Sequence, residues 1–331
     1  MPPPQKQKQA ADALAAVERL AGDFAALLGA GWQERRFGVA VSGGPDSMAL
    51  LWLTASLLPG QTWAATVDHA LRPGSDAEAR MVAGFCAREH IPHTTLRPPQ
   101  PIRGSLQAAA RAERYRLLEQ WRQANGLDHI VTAHHADDQL ETIVMRLNRA
   151  SGVGGLAAIR ARNGAVLRPL LQWRRRDLAA IALGEDLPFV EDPSNGDSRF
   201  DRARLRHALQ SQAILDPEAA ARSARWLADA DAAIDWTARR LIAGWRDAAD
   251  IAVIRDEGYP AELLRRIVAL RLRVHDPALV LRGAALDGVI EAMRGGRRAM
   301  VGALLIDRSA DGDGDGTVWR ISRAPRRKVA K

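Results

Sequence analysis

The sequence has a single cysteine and no long apolar run. Cys86 has no second thiol with which to form an internal disulfide, which suits a reducing compartment. No stretch of about 18 uninterrupted apolar residues occurs, which argues against a membrane span. The opening residues, MPPPQKQKQ, lack the apolar core of a secretory signal and are expected to form a disordered tail. These absences predict a cytoplasmic protein that is not embedded in a membrane.

The composition is that of a folded, basic protein. The 331 residues are 47% hydrophobic and 26% charged, and the length suits about two domains. The net charge of +8 favours an anionic partner, because basic surfaces attract phosphate backbones. The arginine-heavy codon usage of a GC-rich genome explains the same excess. Charge alone therefore leaves nucleic-acid binding open.

Strands and helices alternate through the first half of the chain. Apolar patterning predicts strands at 37–41, 62–67, 91–96 and 129–132. It predicts helices at 12–28, 46–58, 75–89, 105–125 and 137–149. Ser75 is the expected N-cap of the third helix, and Pro92 places the third strand at a sheet edge. The alternation predicts an α/β fold with a doubly wound, mainly parallel sheet that binds ligands at the carboxyl ends of its strands.

The second half of the chain has a different pattern. The glycine-rich segment 151–168 predicts a mobile loop, and 167–171 is expected to pair with the sheet edge. The turn-rich EDPSNGD at 191–197 predicts a domain boundary. Helices are expected at 205–245 and 261–274, then a hairpin and a basic tail. The predicted organisation is an N-terminal tail and helix (1–30), an α/β domain (31–210) and a smaller, mostly helical domain (211–331).

A candidate phosphate cradle follows the first strand. Two glycines allow the backbone to approach an anion, and the N–H groups of a helix start point toward it. The lysine of a GxxxxGK[ST] loop is missing. Asp46 is able to hold Mg²⁺ on the phosphates instead, although a tight turn in which Asp46 complements the helix dipole is the structural alternative. The cradle consists of Ser42, Gly43, Gly44, Pro45, Asp46 and Ser47.

Ionisable residues concentrate where the fourth strand meets its helix, in TAHHADDQLET at 132–142. Two histidines, two adjacent aspartates and a glutamate are able to bind a metal or an amine, or to move protons. Asp137 as a helix cap and Glu141 as a salt-bridge partner are structural explanations for single members. They do not explain the density of charge. The predicted sheet places this cluster on the same edge as the cradle.

SGGPDS resembles the SGGxDS signature of the PP-loop ATP pyrophosphatases, which activate a carbonyl by adenylation. Other segments narrow the resemblance to the tRNA(Ile)-lysidine synthetases. These segments are VDHALR (67–72), ARAERY (110–115), AHHADDQLET (133–142), RPLL (168–171) and EDPSN (191–195). Ala70 and Ala150 stand where the family has glycine, and Ala203 where it has asparagine. The resemblance covers roughly 37–207. The rest matches loosely, and because the larger members are longer the chain is expected to lack one of their C-terminal domains.

The resemblance implies an ATP-dependent, Mg²⁺-requiring ligase. The α/β domain would adenylate the wobble cytidine of a CAU-anticodon isoleucine tRNA, and L-lysine would then displace AMP to leave lysidine. The helical domain would contact the tRNA. No stable protein partner is indicated, and a homodimer stays open. The residues implied in catalysis are Asp46, Arg111, Arg114, His134 and Asp138.

Each of these residues has an implied role. Asp46 suits metal binding or phosphate positioning. Asp138, with His134 four residues before it, suits lysine recognition and proton removal. Arg111 and Arg114 suit stabilisation of the activated base or of AMP, although two arginines three apart on a helix more often form a solvated face.

Three other functions are alternatives to a lysidine-forming ligase. A tRNA thiouridylase or thiocytidine synthetase generally needs paired cysteines or an iron–sulfur cluster, and the chain has only Cys86. A small-molecule amidotransferase or NAD synthetase fits the basic charge poorly, and no glutaminase domain is present. A non-catalytic tRNA-binding protein is disfavoured by the intact SGGPDS and HHADDQLET.

Three further patterns predict structure rather than chemistry. DGDGDG at 311–316 resembles the start of an EF-hand loop, but Ser322 occupies the position of the bidentate glutamate, so a hairpin turn is expected. Cys86, with the nearby histidines at 90 and 93, lacks a completing cysteine pair for a metal site. The near-helical spacing of three tryptophans predicts a packed helical core rather than a base-stacking platform. They are Trp226, Trp236 and Trp245.

Overall fold

The computed structural model describes residues 4–69, 74–99, 106–190, 201–211, 214–245, 247, 251–281, 283–309 and 317–324. The chain divides into two compact units, Met1–Ala228 and Asp229–Lys331. Within these described ranges, no helix has the length and apolarity needed to cross a bilayer. EDPSNGD and DGDGDG lie outside the described residues, so their predicted conformations are not tested.

The first unit is built on a six-stranded sheet with strand order β3-β2-β1-β4-β6-β5. All neighbouring pairs are parallel except β5 and β6, which pair antiparallel. The strands are β1 Phe37–Ala40, β2 Thr62–Val67, β3 His93–Leu96, β4 His129–Val131, β5 Arg162–Asn163 and β6 Val166–Leu167. The predicted mainly parallel sheet is confirmed, and β3 lies at its edge as Pro92 indicated.

Helices lie on both faces of this sheet. The helices of this part of the chain are α1 Pro4–Leu28, α2 Pro45–Leu57, α3 Ser75–Arg88, α4 Leu106–Ala124, α5 Ala136–Leu147, α6 Val153–Leu156, α7 Arg175–Gly184, α8 Asp201–Ser211 and α9 Pro217–Ile242, which continues into the second unit. Phe37 and Val39 of β1 join the core that contains α1, α2 and α3. Ala40 packs with the opposite core, which includes Trp121 of α4. The alternation of side chains along a strand produces these two faces.

Gly38 of β1 allows α4 to approach the sheet closely. A Cβ atom at this position would lie 2.4 Å from Cζ3 of Trp121 and 2.9 Å from Cδ1 of Leu127. The absence of a side chain at Gly38 is therefore what lets the indole lie against the strand.

Three local predictions for the first unit are wrong. The expected disordered tail is helical from Pro4 onward. The third helix is capped by Gly74, at φ 92°, and the Ser75 hydroxyl instead donates a 2.8 Å hydrogen bond to Asp68. The expected mobile loop at 151–168 forms α6 and the β5–β6 hairpin. Hydrogen bonds between the Gln139 side chain of α5 and the backbone of Ile159 tie this segment to the preceding helix and account for its order.

The second unit combines helices with a four-stranded antiparallel sheet of order β7-β10-β9-β8. Its strands are β7 Ala252–Asp256, β8 Ala299–Val301, β9 Leu304–Arg308 and β10 Thr317–Arg323, and its further helices are α10 Ala261–His275 and α11 Gly283–Arg294. Trp319, Ile306 and Leu272 lie in its core. The helix predicted at 261–274 and a hairpin near the end are confirmed, whereas β7 was not predicted.

Two of the three tryptophans do not form the predicted packed helical core. Trp226 and Trp236 of α9 are 62% and 63% exposed, respectively. Trp245 alone of the three packs against the core of the second unit. Near-helical spacing suggested a shared helix face, but Trp245 lies beyond the end of α9, and spacing gives no information about whether a face is covered.

Candidate functional site

The loop after β1 is held by its two serines. The Ser47 hydroxyl donates to the carbonyl of Gly44 at 3.0 Å, and it accepts from the backbone N–H of Ser42 at 3.1 Å. Gly43 adopts φ 87°, which an L residue reaches only with strain. No side chain caps the start of α2 at Gly44. The first N–H groups of α2 therefore remain available for an anion at this strand end.

His135 joins the two predicted clusters. It is the N-cap of α5. Its ring Nδ1 accepts a hydrogen bond from the backbone N–H of Asp138 at 3.3 Å, and its backbone N–H donates to Asp138 Oδ2 at 3.1 Å. Its Nε2 lies 3.5 Å from Asp46 Oδ2 and 3.6 Å from Asp138 Oδ2. Because β1 and β4 are parallel neighbours, their carboxyl ends bring these residues together.

The pKa of His135 is set by two opposing effects, burial and the neighbouring carboxylates. The imidazole is 4% exposed, and burial by itself would lower its pKa. The hydrogen bond to Asp46 and the negative charges of Asp138, Asp46 and Asp137 outweigh burial, so the pKa of His135 is raised above its usual value. The histidine thus offsets repulsion among three carboxylates.

Asp137 fixes the start of α7 against α5. Its Oδ2 accepts from the backbone N–H of Arg175 at 2.8 Å, and both carboxylate oxygens lie 3.4 Å from nitrogens of Arg174. Asp137 was expected to cap the helix that it begins. It instead accepts a hydrogen bond from the backbone at the start of another helix, α7. Asp137 also lies 3.6 Å from Nδ1 of His135.

Glu141 is buried one turn beyond Asp138 and pairs with Arg206 of α8. The Arg206 Nε and Nη2 atoms donate to the two carboxylate oxygens at 2.6 and 3.2 Å. This ion pair raises the pKa of Arg206, and the negative charges of Asp138 and Asp46 raise it further. Sequence reasoning did not place Arg206 in the site. The feature of the sequence that could have indicated it is Glu141, a glutamate in an ionisable cluster that would need a positively charged partner if buried.

The two predicted arginines lie on α4, which begins after β3 and contacts β2 and β4. The positive charge of Arg114 acts on His69, at the end of β2, whose pKa is lowered first by burial and then by this charge. The guanidinium of Arg111 lies 5.1 Å from the ring centroid of Tyr115. The Tyr115 hydroxyl accepts from Arg168, at the end of β6, at 3.3 Å.

Several buried polar atoms at these strand ends have no hydrogen-bond partner among the residues that the structure describes. They are Asp46 Oδ1, both ring nitrogens of His69 and Nε of Arg168. Buried polar groups are nearly always satisfied, so such atoms mark a place where a ligand completes the bonding. The free oxygen of Asp46 suits Mg²⁺, which prefers oxygen ligands. Among the described residues no group of three or more His, Cys, Asp or Glu is arranged to hold a metal, so phosphates and water would supply the other ligands.

The structure brings Asp46 and Asp138 together, and the rest of the cradle shapes the loop beside them. His134 lies at the end of β4 and its Nδ1 is hydrogen-bonded to the Thr132 hydroxyl at 2.9 Å. Arg111 and Arg114 lie near the ends of other strands. His135 and Glu141 belonged to the predicted ionisable cluster but were given no catalytic role, and Arg206 is the member that sequence reasoning did not assign to the site.

Two other features do not belong to this site. A cavity of about 540 Å³ lies between α1 and α7, lined mainly by alanines, Trp173 and charged rim residues. Cys86 is buried in the core, and burial raises the pKa of its thiol to about 12. A thiol of that pKa is a poor nucleophile at neutral pH.

Comparison with known proteins gives concordant matches. The model of the PP-loop domain family matches residues 16–213. The tRNA(Ile)-lysidine synthase of Novosphingobium aromaticivorans is 41% identical over 321 residues, which cover 94% of each chain. That of Zymomonas mobilis is 38% identical over 306 residues, covering 89% of this chain and 90% of the relative.

A solved structure shows the same fold at low identity. The U34-tRNA thiolase NcsA from Methanococcus maripaludis, with its [4Fe-4S] cluster, aligns with a TM-score of 0.53 at 14% identity. The alignment covers 64% of this chain and 80% of the thiolase. At that identity the likeness supports the PP-loop fold of the first unit.

Proposed function

The chain belongs to the tRNA(Ile)-lysidine synthase family of PP-loop ATP-using ligases, and from this premise we propose that it joins L-lysine to C2 of the wobble cytidine of a CAU-anticodon isoleucine tRNA. The observation that carries the proposal is the meeting of the phosphate cradle with the cluster of Asp46, His135 and Asp138 at one sheet edge. We also propose that the reaction takes place in the cytoplasm.

The proposed reaction has two steps. The C2 carbonyl oxygen of the cytidine attacks the α-phosphorus of ATP, and pyrophosphate leaves. The lysine amine, having lost a proton, then attacks C2, the C2–O bond breaks and AMP leaves. ATP binds over Ser42–Ser47, where the glycines and the uncapped start of α2 face the phosphates. Mg²⁺ bound to ATP would neutralise phosphate charge, and Asp46 Oδ1 is the oxygen suited to contact it.

The carboxylates of α5 suit the lysine. A cationic amine needs negative charge to bind, and it must lose a proton before it can attack. Asp138 supplies a partly exposed carboxylate that is held by the His135 backbone N–H, so this carboxylate is the group suited to take the proton. Glu141 is already neutralised by Arg206, so it is the less suitable base.

Arg111 and Arg114 are suited to bind the negatively charged AMP that leaves in the second step. Both lie on the exposed side of α4, and the Tyr115 ring and the Arg168 guanidinium support the position of Arg111. Guanidinium groups hold phosphates bidentately, so these residues are suited to the AMP leaving group. We retain 31–210 as the adenylating segment and 211–331 as the segment that contacts tRNA.

The first test is incorporation of labelled lysine into an isoleucine tRNA transcript that bears CAU, with ATP and Mg²⁺. A transcript with uridine at the wobble position is the control. ATP-dependent labelling of the first transcript alone would support the proposal. Failure to label either, with AMP released when another acceptor is supplied, would leave an adenylating enzyme and reject the lysine ligation.

Two matched aspartate variants separate chemistry from helix capping. Asp138 and Asp177 each occupy the third position of a capping box, at the starts of α5 and α7. Asp138→Asn is expected to lower kcat for lysine transfer by about 10²- to 10⁴-fold, the range for losing a general base. Asp177→Asn removes the same kind of cap and should leave kcat within about twofold. Equal losses in both variants would reject the role of Asp138 as a base.

A further inference from the structure

Trp236 is a large aromatic side chain that the fold leaves uncovered. It lies on α9 within the second unit and is 63% exposed. Helical side chains lean toward the N-terminus of their helix, so the indole extends over the preceding turn. That turn presents the exposed alanines Ala232 and Ala233, which are too small to cover it. One broad face of the ring is consequently open to a flat partner.

Two arginines flank this ring. The guanidinium carbon of Arg240 lies 5.5 Å from the ring centroid, and Arg239 is its exposed neighbour. Neither arginine makes an ion pair with a carboxylate in the described part of the chain. Asp235, which lies next to Trp236, is bound to Arg266 at 2.8 Å. The acid nearest in sequence is therefore held by another arginine, and Arg239 and Arg240 are exposed to solvent.

This combination differs from an ordinary exposed apolar residue. Single exposed hydrophobic residues are common on protein surfaces and need no partner. An exposed indole bordered by two unpaired arginines is instead typical of single-stranded nucleic-acid surfaces, where bases stack on aromatic rings and arginines hold the backbone. A lipid surface would need further apolar residues beside the ring, and the exposed neighbours here are alanines and arginines.

We propose that Trp236, Arg239 and Arg240 form an RNA-contacting surface, the Trp236 platform. An unpaired base of the tRNA stacks on the free face of the indole, and the two arginines hold the flanking phosphates. The identity of the RNA rests on the proposed function. The surface itself rests on the exposure of Trp236, on the cation–ring contact and on the finding that, among the described residues, Asp235 pairs with Arg266 and not with Arg239 or Arg240.

The test is the dissociation constant of the CAU-anticodon isoleucine tRNA transcript, measured by filter binding at several salt concentrations. Loss of one stacked base costs about 1–3 kcal/mol, so Trp236→Ala should raise Kd about 5- to 150-fold. Trp236→Phe keeps a ring and should retain most of the affinity. Arg239→Gln and Arg240→Gln should each lower the slope of log Kd against log salt by about 0.7, the value for one phosphate contact to a single strand.

Met300→Ala is the matched control. Met300 is also 63% exposed and belongs to the same unit, but it lies in β8. Its removal should leave Kd unchanged. Because Trp236 is exposed, the melting temperature of Trp236→Ala should stay close to that of the wild type. An unchanged Kd in Trp236→Ala, or an equal loss in Met300→Ala, would overturn the platform.

The platform and the proposed reaction fail in different ways. For a working enzyme, Trp236→Ala should raise the KM for tRNA and leave kcat at saturating tRNA unchanged. A wild-type protein that binds the transcript through Trp236 but incorporates no lysine would reject the reaction and keep the platform. A wild-type protein that incorporates lysine with Kd and KM insensitive to Trp236 would reject the platform and keep the reaction.

Discussion

The two units differ in how completely the described residues pair their buried polar side-chain atoms. In the second unit Arg266 contacts Asp231, Asp235 and Glu262, and the buried Arg271 pairs with Asp247. Every buried side-chain nitrogen or oxygen that lacks a partner among the described residues belongs to the first unit. Paired charges hold a scaffold together, whereas unpaired ones at strand ends cost stability and persist where a ligand uses them.

The largest expected effect distinguishes an unsatisfied carboxylate from a satisfied one. Asp46→Asn should lower kcat for lysine transfer by about 10²- to 10³-fold, because it removes the carboxylate suited to hold Mg²⁺ on the phosphates. Its melting temperature should change less than that of a fully engaged carboxylate, since Oδ1 has no partner among the described residues and Oδ2 loses only a 3.5 Å contact with His135. Asp231→Asn should do the opposite, lowering the melting temperature and leaving kcat unchanged. If both variants lost stability and activity together, the contrast between the units would be wrong.

A pair of glycines tests whether close packing and ligand access are separate requirements within the first unit. Gly38→Ala should destabilise the fold by about 1–3 kcal/mol, because its Cβ would overlap the Trp121 ring. At Gly44 the nearest atom to a new Cβ is 3.8 Å away and φ is −80°. Gly44→Ala should therefore fold normally but raise the KM for ATP. Urea unfolding and ATP kinetics measure the two effects. Normal stability of Gly38→Ala would contradict the packing argument.

A smaller effect is expected in the pH dependence of stability. The raised pKa of His135 means that its charged form stabilises the folded state. This contribution is fully present below the unfolded pKa of about 6.5 and is lost as pH rises through the higher folded value. The difference in melting temperature between the wild type and His135→Asn should therefore shrink from pH 5.5 to pH 8.5. Parallel curves would show that the three carboxylates do not act on the imidazole.

The smallest effect concerns Cys86, which belongs to the first unit but lies in its core. With a pKa of about 12 and no exposure, the thiol should resist alkylation by iodoacetamide at pH 8 until the protein unfolds. Cys86→Ala should keep lysine transfer within about twofold. Rapid labelling of the native protein would show that the core around α3 opens readily.

Local patterns predicted the strands and the segments that meet at the sheet edge. A hydrophobic strand followed by SGGPDS defines its own turn, and parallel strands bring their ends together. The pairing of Asp138 was harder to predict. The sequence suggested that Asp138 works with His134. In the structure Asp138 contacts His135, because a residue at the N-cap position directs its ring toward Asp138 and Asp46. Periodicity does not tell which of two adjacent histidines occupies a cap.

The remaining differences depend on contacts between distant segments. Arg206 reaches Glu141 only because α8 packs on α5, and nothing local to either residue indicates that packing. The spacing of Trp226 and Trp236 suggested burial, but whether a helix face is covered depends on the rest of the fold. Strand β7 is short, and the strand with which it pairs, β10, lies more than sixty residues away, so its own residues give little indication of it.

The ion pair between Glu141 and Arg206 also bears on synthesis of the chain. The two residues are 65 positions apart. At about 5–20 residues per second, a ribosome needs roughly 3–13 s to add the arginine after the glutamate. During that interval Glu141 has been synthesised but its counter-charge does not yet exist. This ion pair of the candidate site therefore cannot form until the ribosome has added Arg206.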